Sequence, residues 1–266
     1  MFFNIRERFE SYIEPYGGIP YAFHYQWDAF KSGNEFNISF RDAAFANFYK
    51  DISDHFAAYE ATTAVPELVS TASGIVLEVG PGTGNQLPHY EVNNIERIYG
   101  VELNPAFISV LRSRIEETGL KDKYTVILGD LEDQTTLQEN RITTDSVDCI
   151  VSMQVLCSVR DGKKAVEHLW RVLKPGGTII FWEHEESRDW LTRVVQKLWS
   201  ILWPLSILTC QMGRPILDLL LKNGDWEVLE LETGGEPWSL MPRVWGRLRK
   251  VARGQGIRSA VTKSST

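Results

Sequence analysis

Cysteine is scarce in this chain of 266 residues; there are three, Cys149, Cys157 and Cys210. None stands in a CxxC pair, which excludes a disulfide framework and gives no paired spacing from which to expect a metal site. So few thiols without a framework fit a reducing, cytoplasmic compartment. Basic residues are also short: 28 Lys and Arg stand against 35 Asp and Glu, a formal net charge of -7. That deficit argues against nucleic acid as a partner, because phosphate-backbone binding rests on clustered cations. The locally basic stretch 243-RVWGRLRKVARGQGIR-258 reads as a solvated face.

Long apolar runs are missing too. The N-terminal stretch MFFNIRERFESYIEP is interrupted by charge from Arg6 onward and lacks the apolar core of a signal peptide or anchor. The strongest apolar run, 198-LWSILWPLSIL-208, falls short of the roughly 20 residues a spanning helix needs. It reads first as a buried helix, and second as a peripheral membrane contact with Trp199 and Trp203 at headgroup level. No repeat is present, and the polar end 253–266 reads as a disordered tail.

What is there is alternation. Short β-branched runs at 75–80, 97–103, 124–130, 147–154 and 177–184 are separated by helical patterns, notably 104–119 and 161–177. Asn104-Pro105 and Asp161 supply helix starts, and Pro175-Gly176-Gly177 supplies a stop. Two further strand patterns, 226–232 and 243–251, close the series as a hairpin-like addition. The pattern predicts an α/β fold: a Rossmann-like, open, seven-stranded, mostly parallel sheet with helices on both faces. Residues 1–72, aromatic-rich and helical in pattern, form an N-terminal helical cap or lid. Residues 73–252 form the main domain, with a helical insertion at 185–222. Ligands of such sheets bind beyond the carboxyl ends of the strands.

One of those ends reads 76-VLEVGPGTGNQL-87. Gly80, Gly82 and Gly84 remove Cβ atoms where a strand turns toward a helix, so a ligand can approach the backbone. A dinucleotide fingerprint, GxGxxG, would want glycine at position 85, which is Asn85. No Lys or Arg lies in the loop to meet a pyrophosphate, and Glu78 would repel one; a cationic ligand suits Glu78 better. Glu102, at the end of the second strand, is placed for a ribose diol, and Asp130 in 129-GDLED-133 for an adenine amine. An NAD(P)-binding Rossmann domain is the alternative reading.

These residues resemble the class I S-adenosylmethionine-dependent methyltransferases. EVGPGTG, VELN, GDLED, VDCIVSMQVL and LWRVLKPGGTIIFWEH follow one another at that family's spacing across residues 74–184. The resemblance implies S-adenosyl-L-methionine as cofactor. It implies cofactor contacts from Glu78, Gly80, Pro81, Gly82, Gly84 and Asn85 in the loop, and from Glu102, Leu103, Asp130, Leu131 and Gln154 beyond it. Further along, 155-VLCSVRD-161, Glu183-His184, 210-CQMGR-214 and 237-PWSLMPRVWGRL-248 are similar to the methyltransferase-like thiol methyltransferases and their ubiquinone/menaquinone-type relatives. That implies transfer of a methyl group to a small, largely apolar acceptor, with a thiol sulfur favoured. The animal enzymes' hydrophobic N-terminal anchor has no counterpart here, and Gln211-Met212-Gly213-Arg214 replaces their Leu-Thr-Arg. An oxygen or nitrogen of a secondary metabolite or quinol-like lipid is a second acceptor class. A cofactor-binding protein that transfers no methyl is a reading of another kind.

Methyl transfer needs alignment and, for a weak acceptor, a base. His184, at the end of strand five, is the candidate base. Glu183 is expected to orient it or to be a solvated acid, and Gln154 to lie beside the cofactor. His55 and Tyr59, one helical turn apart, are candidates to close over the acceptor, and Cys157 and Cys210 to line its pocket. Each has a structural reading as packing.

Overall fold

The computed structural model describes residues 3–13, 18–32, 39–202 and 210–251. The expected tail at 253–266 and the part of the apolar run at 203–209, with Trp203, lie outside them. Seven strands run at Gly74–Val79 (β1), Ile95–Glu102 (β2), Tyr124–Leu128 (β3), Val147–Met153 (β4), Leu173–His184 (β5), Trp226–Gly234 (β6) and Arg243–Lys250 (β7). They form one sheet in the order β3-β2-β1-β4-β5-β7-β6. The β1–β2, β1–β4, β2–β3 and β4–β5 pairs are parallel, while β7 runs antiparallel between β5 and β6. The strand order reverses between β1 and β4, and a crevice opens there above the carboxyl ends.

Nine α-helices lie among the described residues. The cap holds Phe3–Ile13 (α1), Gly18–Ser32 (α2), Phe40–Glu60 (α3) and Val65–Ser70 (α4). The crossovers hold Ile108–Glu116 (α5), Gln134–Glu139 (α6) and Gly162–Val172 (α7), and Trp190–Leu202 (α8) and Ile216–Lys222 (α9) follow β5.

Strand alternation sorts the core into two layers. Leu77, Ile150, Ile179 and Phe181 pack with Val166 and Leu169 of α7 and with Ile216 and Leu220 of α9. Their chain neighbours Val76, Val151, Ile180 and Trp182 pack on the other face with Leu68 of α4 and Leu111 and Ile115 of α5. Near-continuous apolar strands are thus buried on both sides, as a covered parallel sheet requires.

Local signals set the ends. The Asn104 side chain accepts from Ala106 N and opens a 3₁₀ turn, Pro105–Phe107, that leads into α5. The Asp161 side chain accepts from Lys164 N and caps α7. Two expected boundaries shift. The 104–119 helix shortens to that turn plus α5, and β5 begins at Leu173 rather than Gly177. Val147 pairs with Leu173 and Cys149 with Thr178, so Lys174–Gly177 bulge out of register, helped by Gly176 at φ 82°.

The last strand is latched to the sheet's interior. Lys250 is buried, and its Nζ donates to Asp145 Oδ1 at 2.7 Å and to the carbonyls of Trp170 and Leu173 at 2.8 and 2.6 Å. The ammonium also sits 4.1 Å from the Trp170 ring centre.

Trp199 overturns its place in the interfacial reading. It is buried with Met212 and Leu240, and its Nε1 donates to the Tyr12 carbonyl at 3.0 Å. The amphipathic pattern of α8 points Trp199 inward while Trp190, Val194, Leu198 and Ile201 are exposed. Among the described residues, no helix is long and apolar enough to cross a membrane.

Candidate active site

The turn after β1 carries three left-handed glycines: Gly80, Gly82 and Gly84 have φ of 57°, 56° and 87°. They are bare for different reasons. A Cβ on Gly80 would lie 2.8 Å from Val155 Cγ2, and one on Gly84 would lie 2.7 Å from Leu87 Cδ1. Only at Gly82 is the space open, its nearest neighbour being Tyr49 Cε1 at 3.5 Å. Protein packing thus demands Gly80 and Gly84, while at Gly82 only the left-handed φ does, and the space beside it is open to a ligand. Pro81 between them is buried.

Beside this loop, Glu102 ends β2 as a buried carboxylate. It accepts from Gly82 N at 2.9 Å and Asn104 N at 2.8 Å, so it shapes the loop as well as facing the crevice. Burial raises its pKa against those backbone bonds. Leu103, beyond it, is exposed. Asp130 accepts from Glu132 N at 2.8 Å and pairs with Arg160. Leu131 is buried, and its carbonyl faces His168 Nδ1 at 3.1 Å.

Glu78 is fully buried: Tyr124 donates to its Oε2 at 2.6 Å, its Oε1 has no hydrogen-bond partner among the described residues, and burial lifts its pKa to about 7. One loop residue differs from expectation. Asn85 points toward the cap instead of a ligand. Its Oδ1 accepts from Ser53, Thr83 and Arg114 at 2.8, 2.9 and 3.1 Å. Arg114 is a cation near the loop that sequence distance concealed, but its other terminal nitrogen is paired with Asp54 at 2.6 Å.

The cap closes over this region through α3. Glu60, 2% exposed, accepts from Gln86 Nε2 at 3.1 Å and from Gln154 Nε2 at 3.4 Å. Asn104 Nδ2 donates to the Asp42 carbonyl at 2.9 Å. Gln154, at the end of β4, holds φ 60°, a strained value for a residue with a side chain. Sequence reasoning missed Tyr49, Ser53, Glu60 and Gln86, because helical spacing on α3 does not reveal which face meets the loop.

These groups fit a nucleoside-linked amino acid. The open Gly82 position would admit a ligand's main chain, Glu102 would offer oxygens to vicinal hydroxyls, and Gln86 Oε1 is a buried acceptor without a partner among the described residues. They would hold S-adenosylmethionine by those contacts, with no pyrophosphate to neutralise.

Against the cap lies a cavity of about 560 Å³, lined by Tyr59, Trp182, Leu240, Met241, Arg243 and Trp245 among others. The Arg243 guanidinium stacks 4.5 Å from the Trp182 ring centre, and its Nη1 has no partner among the described residues. His55 does not belong here. It is exposed on α3, whereas Tyr59, one turn on, lines the cavity.

His184 pairs with Arg243 in the β5–β7 ladder. Its Nδ1 lies 3.3 Å from Cys210 Sγ and 3.6 Å from Cys157 Sγ. The spacing argument against a metal site has no bearing on this trio, which the fold assembles from three separate segments. A hydrogen bond with Cys210, together with burial, pushes the Cys157 thiol upward. Glu183 is no solvated acid. It is fully buried, its Oε1 accepting from Ser152 Oγ, Val155 N and Leu156 N at 2.8, 3.0 and 3.1 Å, and burial raises its pKa to about 7. It braces the turn after β4, on the strand face opposite His184.

Comparison with known proteins agrees with this geometry. Residues 77–181 match the family model described as a methyltransferase domain. Thiol S-methyltransferase TMT1B of Rattus norvegicus is 27% identical over 192 residues, covering 69% of this chain and 72% of that protein. Human thiol S-methyltransferase TMT1A is 28% identical over 181 residues, covering 64% and 68%. N-methyltransferase NodS from Bradyrhizobium japonicum, solved with S-adenosyl-L-homocysteine, shares the fold with a TM-score of 0.53 at 16% identity, over 75% of this chain and 90% of NodS. The chain thus carries a methyltransferase domain at residues 77–181 and is similar to S-adenosylmethionine-dependent methyltransferases of the class I fold.

Proposed function

We propose that this methyltransferase methylates the sulfur of a small, largely apolar thiol. The observation that carries the reading is an aromatic cavity lined by Arg243, whose partner in the β5–β7 ladder, His184, lies beside two sulfurs. At about 560 Å³ the cavity is in the range of small-molecule sites, and its tryptophans favour an apolar body. The relatives named thiol S-methyltransferases point the same way.

Bound S-adenosylmethionine supplies an activated methyl group on a sulfonium; the remaining demands fall on the protein. The glycine turn and Glu102 hold the donor, and the cavity holds the acceptor while excluding water. A thiol needs only ionisation to become a strong nucleophile, whereas a hydroxyl or amine wants a positioned base. Glu60, Glu102 and Glu183 are buried and engaged with protein donors, which leaves His184 to take a proton.

The test is turnover to S-adenosylhomocysteine with benzyl mercaptan, phenol and benzylamine at equal concentration. The thiol should be at least about tenfold faster. Faster turnover of the phenol or the amine would move the reading to an oxygen or nitrogen acceptor. Cofactor binding without turnover of any of them would mark a protein that transfers no methyl.

A further inference from the structure

We propose that Cys157, His184 and Cys210 form a three-ligand site for one soft divalent cation of the zinc type, with its fourth position left for the acceptor sulfur. The ligand atoms of the trio all lie within 4.8 Å of one another. The two histidine–sulfur separations, 3.6 and 3.3 Å, lie at and slightly below a tetrahedral edge. Metal–sulfur and metal–nitrogen bonds of about 2.3 and 2.05 Å at a tetrahedral angle put nitrogen about 3.6 Å from sulfur. Two thiolates and an imidazole are a soft donor set, suited to zinc and poor for magnesium or calcium.

The trio is held from outside. Gln211 N donates to the Cys157 carbonyl at 2.9 Å, tying the two cysteine segments together. Arg214 Nη1 donates to the neighbouring Leu156 carbonyl at 2.6 Å, and Glu183 fixes the same turn from beneath. Such outer contacts orient metal ligands in known sites. Two thiolates cancel the charge of a divalent ion, so the nearby Arg214 and Arg243 do not oppose it. Cys157 is buried while His184 and Cys210 are half-buried, so the site is walled on one side and reachable on the other. Three protein ligands with one open position is the arrangement of catalytic rather than structural zinc.

The open position suits the thiol reading, and this part of the inference rests on it. With the cation bound, His184 serves as a ligand in place of a base, and an acceptor R–SH releases its proton to solvent on coordinating. Its sulfur lone pair then forms the new S–CH₃ bond, while the bond from the methyl to the donor sulfonium breaks and leaves its electrons on that sulfur.

The experiment uses the full chain without a polyhistidine tag, stripped by chelator and titrated with cobalt(II). A thiolate-to-cobalt charge-transfer band and intense tetrahedral visible absorption should appear at one equivalent. Cys157→Ser, Cys210→Ser and His184→Ala should each weaken binding by more than the roughly 100-fold that losing an outer partner costs. Cys149→Ser should leave the spectrum intact, and melting curves on every variant separate metal loss from unfolding. The spectrum of hydrated cobalt alone, or a Cys157–Cys210 disulfide after anaerobic purification, would overturn the site. Benzyl mercaptan should shift the charge-transfer band; a bound cobalt that ignores it overturns the acceptor role. Equal thiol methylation by stripped and zinc-loaded protein would also remove that role while leaving the thiol reading standing. A preference for phenol would sink the thiol reading without touching the cobalt spectrum.

Discussion

Glu60 of the cap helix and Gln154 at the end of β4 meet at 3.4 Å over the crevice, and Gln86 of the glycine turn donates to the same carboxylate at 3.1 Å. One buried side chain thus joins cap, turn and sheet. Glu60→Ala and Gln154→Ala should be non-additive, with a coupling of about 1 kcal/mol in urea unfolding. Strictly additive losses would mean that the cap stands independently of the strand end. Both variants should also slow methyl transfer.

Glu102→Ala should do two things, because the carboxylate holds Gly82 N and Asn104 N as well as facing the crevice. Loss of those backbone bonds should cost about 2 kcal/mol of stability, and affinity for S-adenosylhomocysteine should fall at least about tenfold. Glu102→Gln keeps an acceptor for the loop and should lose affinity with less loss of stability. Calorimetry on both, beside melting curves, separates the effects; unchanged affinity in both would end the ribose assignment.

Glu78 should make the protein less stable as pH rises from about 4.5 through about 7. Burial raises its folded pKa to about 7 from an ordinary value of 4.5, so the folded state holds a proton that the unfolded state has given up. Its favourable contribution is full below about pH 4.5 and is lost as pH rises through about 7. Glu78→Gln should flatten this part of the curve of melting temperature against pH. An unchanged slope between pH 5 and 8 would show that Glu78 does not titrate in that window.

Gly80→Ala and Gly82→Ala share nearly the same left-handed φ, 57° and 56°, so their conformational cost is common and about 1 to 2 kcal/mol. The difference isolates Val155, which a Cβ on Gly80 would meet at 2.8 Å and one on Gly82 would not. Gly80→Ala should therefore melt several degrees lower, and adding Val155→Ala should restore part of the loss. Gly82→Ala should act mainly on donor binding. Equal melting temperatures would contradict the packing account.

Much of this was legible because it is local. Apolar runs and glycine signals located the strands, Asp161 and Asn104 marked helix starts, and the turn after β1 located the crevice. What escaped depends on which face a residue shows or on contacts across the chain. Glu78 is engaged by Tyr124 of β3 and Asn85 turns back to α3, neither of which a one-dimensional motif encodes. His55 and Tyr59 share a helical face in the sequence pattern, yet His55 is exposed and only Tyr59 lines the cavity. Cys157, His184 and Cys210 are 27 and 26 positions apart, and only the convergence of β4, β5 and the segment after α8 brings them together.

The latch at Lys250 gives the molecule a direction in time. As the chain leaves the ribosome, the strands from β1 to β5 can pair in turn, because each parallel crossover is already made. The corner where α7 runs into β5 cannot close at that stage. Its carbonyls at Trp170 and Leu173 wait for an ammonium that emerges with the final strand, and that strand must slip between β5 and β6. The cavity wall at Arg243 and Trp245 arrives in the same step. A nascent chain can therefore shape its donor crevice early, but it has nowhere to seat an acceptor until synthesis has passed residue 250.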